Sequence, residues 1–196
     1  RPRVLLLDEP LAALDAKLKE SLRDELAELL RRLGITAVHV THDQHEAFAI
    51  ADRLAVMHAG SIVQVGDAET LYRAPTHAFV AEFLGRVNRL ERDADAVARG
   101  VVKLGGVEWA CPARSSMASV LVRPEDLQLG PRRSDWAAAT VRHRIFLGER
   151  IQLRVEAAGQ PPLVADVPRD SPFQVGDDVG LWIAPDRLMA SMAGAA

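Results

Sequence analysis

Asp8 and Glu9 directly follow the apolar run Val4–Leu7, so two carboxylates lie just past the end of a predicted buried strand. Ligands of open α/β sheets collect at the carboxyl ends of the strands, which favours a binding site here. A phosphate-bound magnesium ion keeps several waters and takes one or two protein carboxylates, and Asp8 suits that role. Glu9 is then placed to orient or deprotonate a water that attacks a terminal phosphate. The alternative is a solvated carboxylate pair at a strand end.

Three histidines, His39, His42 and His45, recur at intervals of three residues around the end of a second predicted strand. This spacing raises the alternative of a metal site. They are expected to lie on a strand, a loop and a helix start, so they need not converge on one ion. Asp15 also has two interpretations, as part of a site and as the N-cap of the following helix, and the two roles are compatible.

The elements that position these residues form an α/β arrangement. Residues 4–7 and 37–40 are short apolar runs, typical of parallel strands buried on both faces. Residues 17–33 carry leucines at three- and four-residue intervals and end at Gly34, which predicts a helix whose leucines pack in the core. The remaining predicted elements are a helix over 44–51, a hairpin over 54–65, and helices over 68–72 and 77–84.

After Gly85 the pattern changes to short alternating segments separated by turns that contain Gly and Pro. This spacing predicts a small all-β barrel or sandwich. We therefore predict a boundary near Gly85, with domains at residues 1–85 and 86–196. The predicted strands of the second domain cover residues 101–104, 107–110, 120–123, 140–146, 150–155, 163–167 and 179–183.

The composition is that of a globular protein, because 48% of the 196 residues are apolar and 26% are charged. The net charge of -3 leaves no basic footprint, which argues against a nucleic-acid partner. A single cysteine, Cys111, excludes an internal disulfide and fits a reducing compartment. No apolar run reaches the roughly 20 residues of a membrane helix.

The motifs of the first half, taken together, resemble a known family. Leu5–Pro10 is similar to the Walker B motif of ABC ATPases, Leu14–Asp15 to their D-loop, and His42 to their switch histidine. The similarity continues in unbroken order over residues 43–75 and is greatest to the importer ATPases for sugars, polyamines, iron and oxyanions. The resemblance implies part of a P-loop ABC ATPase sheet in residues 1–85.

This resemblance implies an ATP-hydrolysing importer subunit, with Glu9 as catalytic glutamate and His42 as sensor of the terminal phosphate. It further implies Asp8 as the Mg²⁺ ligand and Asp15 as part of the ATP site. The implied partners are a second copy of the subunit, membrane permease subunits and, indirectly, a solute-binding protein, at the cytoplasmic side of the membrane. The phosphate-binding loop, the Q-loop and the signature motif of the family are absent from the sequence. We therefore expect the C-terminal part of a subunit, inactive alone.

The second half resembles, at Val122–Leu127 and Phe146–Glu149, the OB-like TOBE regulatory domain that follows many importer ATPases. The resemblance implies dimer contacts and, in some relatives, a small ligand or an inhibitory partner. Arg123 and Glu125 have two interpretations, a structural ion pair and part of a small-molecule pocket. Aromatic side chains of an OB-fold can also stack on bases. The acidic net charge instead favours core or interface positions for Trp109, Trp136 and Trp182.

Two rival functions remain open at this stage. One is a non-catalytic regulatory and dimerisation module that binds a small ligand. The other is a DNA-repair ATPase of the same superfamily, which the absence of a basic composition and the trailing β domain disfavour. The transported solute is not determined by these residues, although residues 83–90 resemble the junction in oxyanion and iron importers.

Overall fold

The computed structural model describes residues 3–111 and 117–190, which fall into two compact units. The first unit spans residues 1–72 and the second spans residues 73–196. The outer ends of the two domain ranges predicted from the sequence, at residues 1 and 196, lie outside the described residues.

The first unit alternates strands and helices, as the apolar periodicity predicts. Two of its strands pair in parallel, with Leu6 opposite Val38 and Asp8 opposite Val40, and two others form an antiparallel hairpin. In chain order the elements are β1 (Val4–Asp8), α1 (Ala16–Leu33), β2 (Thr36–Val40), α2 (Gln44–Ile50), β3 (Leu54–His58), β4 (Ser61–Gly66) and α3 (Ala68–Arg73).

Burial of both faces of β1 and β2, which the apolar runs predict, is not what the structure has. Alternate residues are half-buried, and His39 on this half-buried face contacts α2. The opposite face is exposed: Leu6 has 74% of its surface accessible, and Val4, Val38 and Val40 are also exposed. A strand alternates its side chains between two faces, and in the described residues only one face of this pair is covered.

Helix α1 begins and ends where its capping residues predict. The Asp15 carboxylate accepts from the Leu18 amide at 3.0 Å, and Gly34 takes a left-handed backbone with its amide donating to Leu30. The prediction that the leucines pack in the core holds only in part. Leu18, Leu29 and Leu33 are exposed, whereas the others are half-buried.

The second unit is predominantly antiparallel β structure, which confirms the predicted all-β domain. One sheet has five strands, in the order β12-β11-β10-β13-β9, and another has three, in the order β14-β8-β5. In chain order the elements are α4 (Ala78–Phe83), β5 (Asn88–Glu91), α5 (Ala94–Arg99), β6 (Val101–Leu104), β7 (Val107–Ala110), β8 (Ser119–Val122), β9 (Leu127–Gly130), β10 (Ala137–Phe146), β11 (Arg150–Ala157), β12 (Leu163–Pro168), β13 (Asp178–Ile183) and β14 (Met189–Ala190).

The core of the second unit lies between these strands. Its members alternate along each strand, so that Ile151, Leu153 and Val155 of β11 all point inward with no accessible surface. The β6–β7 hairpin packs closely against β10 at Gly105, where a Cβ atom would lie 2.5 Å from the Ala138 carbonyl oxygen. Only glycine fits this approach, and its backbone is left-handed as well (φ 53°).

Asn88 of β5 joins the two larger sheets. Its side-chain amide donates to the Val164 carbonyl oxygen at 2.8 Å, and its side-chain oxygen accepts from the Val164 amide at 2.7 Å. Val164 belongs to β12, the edge strand of the five-stranded sheet. The nearly buried Asn88 side chain thus satisfies both main-chain groups of one edge residue.

The second unit begins at residue 73, and α4, which precedes Gly85, packs within it; the domain boundary near Gly85 stays a prediction. Ala81 is fully buried in a cluster with Leu121 and Met189. The guanidinium of Arg123, itself buried, donates to the main-chain oxygens of Ala81 at 2.8 Å and Arg86 at 3.1 Å. These contacts tie residues on both sides of Gly85 to the same β structure.

The helices of both units are modest in length and carry charged residues. Among those within residues 3–111 and 117–190, none is long and apolar enough to cross a membrane.

Candidate catalytic site at the ends of β1 and β2

The candidate site lies where the parallel strands β1 and β2 end together. Asp8 is the last residue of β1 and pairs with Val40, the last residue of β2. The Glu9 amide donates to the Val40 carbonyl oxygen at 2.9 Å, which ties the two strand ends. The exposed Asp8 carboxylate therefore stands at the sheet edge where α/β proteins bind ligands, as the sequence predicts.

Glu9 and His42 contact each other across this edge. Glu9 Oε1 lies 2.9 Å from His42 Nδ1, and both side chains are exposed to solvent. The contact joins a carboxylate oxygen to a ring nitrogen, a pair that forms a hydrogen bond in the tautomer whose Nδ1 carries the hydrogen. Glu9 has a left-handed backbone, with φ of 44°, which is uncommon for a residue other than glycine. The structure thus brings together the two residues to which the sequence assigns catalysis.

Asp15 serves as the N-cap of α1, the structural alternative that the sequence left open. Its Oδ1 accepts from the Leu18 amide and its carbonyl oxygen accepts from the Lys19 amide at 2.9 Å. Capping uses one carboxylate oxygen, so the role of Asp15 in an ATP site stays a prediction.

The three histidines separate, as expected from their predicted placement. His39 Nε2 lies 3.2 Å from Glu46 Oε2, His42 contacts Glu9, and His45 is exposed. No group of three or more His, Cys, Asp or Glu side chains in the described ranges is arranged to hold a metal ion. A hydrated Mg²⁺ needs only one or two protein carboxylates, and the exposed Asp8 carboxylate fits that requirement.

A charged network that the sequence did not reveal lies beside His42. Glu46 is almost fully buried, and its two oxygens accept from Lys19 at 2.8 Å, Thr41 at 2.8 Å and His39 at 3.2 Å. Lys19 Nζ also lies 2.8 Å from Asp43 Oδ2. Asp43 and Glu46 have the spacing of a helix capping box. This spacing could have indicated from the sequence that both residues lie at the start of α2.

The pKa values of this network follow from its hydrogen bonds. The Lys19 ammonium lowers the pKa of Asp43 to about 2, and amide donors at the start of α2 add to the effect. Burial raises the pKa of Glu46, but hydrogen bonds from Lys19, Thr41 and His39 outweigh it and leave the pKa below its ordinary value. Both carboxylates in turn raise the pKa of Lys19.

Comparison with known proteins identifies the domain in the second half. Residues 120–190 match the TOBE domain family. This match lies within the second unit. Helix α4 lies before residue 120 but packs in the same unit, so the second unit extends beyond the matched residues.

Curated relatives extend the similarity to nearly the entire chain. The Fe(3+) ions import ATP-binding protein FbpC of Brucella abortus is 37% identical over 185 residues, which are 92% of this chain and 52% of the relative. The spermidine/putrescine import ATP-binding protein PotA of Rubrobacter xylanophilus is 42% identical over 175 residues, 84% of this chain and 46% of the relative. The chain spans about half the length of these relatives and matches the C-terminal half of ABC importer ATP-binding subunits.

The prominent side chains of the second unit make structural contacts. Arg123 is buried and donates to main-chain oxygens, which supports a structural role over a pocket lined by this residue. Trp109 lies in the hydrophobic core. Trp136 and Trp182 stack on each other with ring centroids 6.3 Å apart, and Arg133 lies over Trp136.

Proposed function

We propose that this chain is the C-terminal part of an ATP-hydrolysing subunit that powers solute import through a membrane permease. The observation that carries the proposal is the 2.9 Å contact between Glu9 and His42 at the carboxyl ends of β1 and β2. The similarity to import ATP-binding proteins for Fe(3+) ions and for spermidine and putrescine supports it. The function of the intact subunit would place it at the cytoplasmic face of the membrane.

In this proposal Glu9 accepts a proton from the attacking water as the water oxygen bonds to the terminal phosphorus and the bond to the ADP oxygen breaks. His42, held against Glu9, orients this carboxylate and faces the terminal phosphate. Asp8 would hold a hydrated Mg²⁺, whose charge would stabilise the phosphate oxygens. Asp15 contributes at the edge of the ATP site while capping α1. In the proposed assembly, two copies of the subunit enclose ATP. Permease subunits and a solute-binding protein complete it.

The test uses a full-length subunit that carries this sequence. Glu9→Gln keeps the side-chain shape but cannot take up a proton, so we expect ATP to bind and turnover to fall at least about 100-fold. His42→Ala is expected to lower turnover with little change in ATP affinity. His45→Ala, which removes an exposed neighbouring imidazole, is the matched control. Wild-type hydrolysis by both site variants would reject the proposal.

A second candidate, a regulatory module that binds a small ligand without catalysis, is favoured by the self-contained core of the second unit. It predicts that Glu9→Gln leaves the activity of the assembly unchanged. The same experiment therefore separates the two candidates.

A further inference from the structure

We propose that Lys19 and Glu46 are positioning residues, which hold the turn at Thr41–Asp43 so that His42 lies against Glu9. This inference rests on the proposed function, because it concerns the geometry of the same site. Neither residue touches the reacting groups in our proposal. Their role is exerted through the residues on either side of His42.

Glu46 is the fixed point of the arrangement. It has 2% of its surface accessible, and its carboxylate accepts three hydrogen bonds, from Lys19, Thr41 and His39. A buried carboxylate is tolerated only when it is paired and hydrogen-bonded, so loss of one donor is expected to displace the others. His39 and Thr41 are residues of β2 and of the turn after it, so Glu46 connects α2 to the end of that strand.

Lys19 connects the same point to the first turns of α1. Its ammonium lies 2.8 Å from an oxygen of Glu46 and 2.8 Å from an oxygen of Asp43, and only about a fifth of the side chain is exposed. Its amide donates to the carbonyl oxygen of Asp15, the cap of α1. One side chain thus links the start of α1, which follows Asp15, to the start of α2, which follows His42.

The turn is held on both sides of His42. The Thr41 hydroxyl donates to Glu46 and accepts from the Asp43 amide at 3.0 Å. Asp43 accepts from the amides of His45 and Glu46 while it pairs with Lys19. The His42 side chain is exposed, and the contact with Glu9 is the hydrogen bond that orients its ring. Because the ring is exposed, packing does not hold it in place. The turn fixes the main chain of His42 and thereby decides whether its Nδ1 reaches Glu9.

The first experiment measures this geometry directly. The ¹⁵N signals of the histidine rings report whether His42 Nδ1 is hydrogen-bonded, so the chain is labelled at histidine and compared with its variants by NMR. We expect Lys19→Met to shift the His42 Nδ1 signal towards that of a solvent-exposed imidazole. Lys19→Arg retains a cation that reaches both carboxylates and is expected to restore the signal. Lys17→Met, at an exposed position of the same helix, is the control.

An unchanged His42 signal in Lys19→Met would overturn the inference. If Lys19→Met loses the amide signals of the whole first unit, the test passes to Glu46→Gln. This variant keeps the shape of the side chain but replaces one of its two acceptor oxygens with an amide group. A His42 signal that is unchanged in a folded Glu46→Gln variant would equally overturn it.

The second experiment measures the consequence in a full-length subunit. Misplacement of a catalytic group by about 1 Å can cost about 100-fold in rate, so we expect Lys19→Met to lower kcat by about 10- to 100-fold with KM for ATP within about twofold. Rescue by Lys19→Arg is expected. If Glu9→Gln abolishes turnover but Lys19→Met does not lower kcat, the positioning role fails alone. If Glu9→Gln has no effect, the proposed function fails. The NMR experiment still tests whether Lys19 and Glu46 position His42 against Glu9.

Discussion

At the scale of single residues, Glu9 combines an unfavourable backbone with a well-defined contact. Its φ of 44° belongs to a region that costs a residue with a side chain about 1–3 kcal/mol. The hydrogen bond from its main-chain amide to the Val40 carbonyl oxygen and the contact of its carboxylate with His42 hold it there. Glycine would adopt this backbone with less strain, so the Glu9 side chain does not serve to stabilise the turn itself.

Asp43 makes a pH-dependent contribution to stability. Its pKa of about 2 in the folded chain lies below the ordinary value of 3.8, so its contribution is complete above 3.8 and is lost as the pH falls towards 2. We expect Asp43→Asn to lower the free energy of unfolding by about 1–2 kcal/mol near neutral pH, after allowance for partial exposure. Urea unfolding at several pH values measures this, with the exposed Asp52→Asn as control. If the free energy of unfolding falls equally with decreasing pH in Asp43→Asn and in the unchanged chain, the expectation is contradicted.

The residues of the site differ in how far the sequence predicted them. Asp8 and Glu9 were placed correctly at a sheet edge, because an apolar run followed by carboxylates identifies a strand end. Glu46 and Lys19 were not predicted as a pair. Ionisable residues near helix starts usually face solvent, and their meeting depends on how α1 and α2 pack, which local spacing does not contain.

At the scale of elements, the apolar periodicity predicted the strands and helices that have a regular pattern of apolar residues. It missed a short helix that is marked only by its capping residues. The strands β12 and β13 and the helix α1 were predicted to within one residue of each end, since each has an alternation or a three- and four-residue repeat. Helix α5 was missed although Asp93 caps its start and Gly100 ends it in a left-handed conformation. Unlike α3 and α4, which are equally short, α5 contains no leucine or aromatic residue, so its caps were the clearest indication.

The packing of α4 leads to a prediction about the second unit. A chain of residues 86–196 is expected to unfold cooperatively, and a chain of residues 73–196 to be more stable by about 2–4 kcal/mol. The shorter chain lacks Ala81, and with it both a buried contact to Leu121 and an acceptor of the buried Arg123 guanidinium. Urea unfolding of the two chains tests this. Equal stabilities would show that α4 adds nothing to the TOBE domain, and a broad transition of the shorter chain would count against a boundary near Gly85.

At the scale of the whole molecule, the chain presents one half of the proposed chemistry. It has the carboxylates and the imidazole, but its 196 residues contain no G-x-x-x-x-G-K-[ST] loop. Such a loop supplies the amides and the lysine that hold the phosphates of a nucleotide. Without them, Asp8 and Glu9 bring negative charge towards a polyanion.

We therefore expect the chain alone to bind Mg-ATP with a Kd weaker than about 1 mM and to hydrolyse none. Isothermal titration calorimetry with Mg-ATP measures the affinity, and phosphate release measures the activity. The Asp8→Asn and Glu9→Gln variants serve as controls, because removal of a negative charge should not weaken binding in the absence of a phosphate site. Micromolar affinity would require a nucleotide site elsewhere in these residues.

The pairing of Asn88 with Val164 has a consequence for how this protein meets other chains. An edge strand with open main-chain groups is a template on which a strand of another molecule can add itself, and long arrays of such additions form fibrils. On β12 the side chain of Asn88 occupies the donor and the acceptor of Val164, the second residue of that strand. An incoming strand would have to displace this amide before it could pair with Val164, so Asn88 protects the start of the edge strand from strand addition.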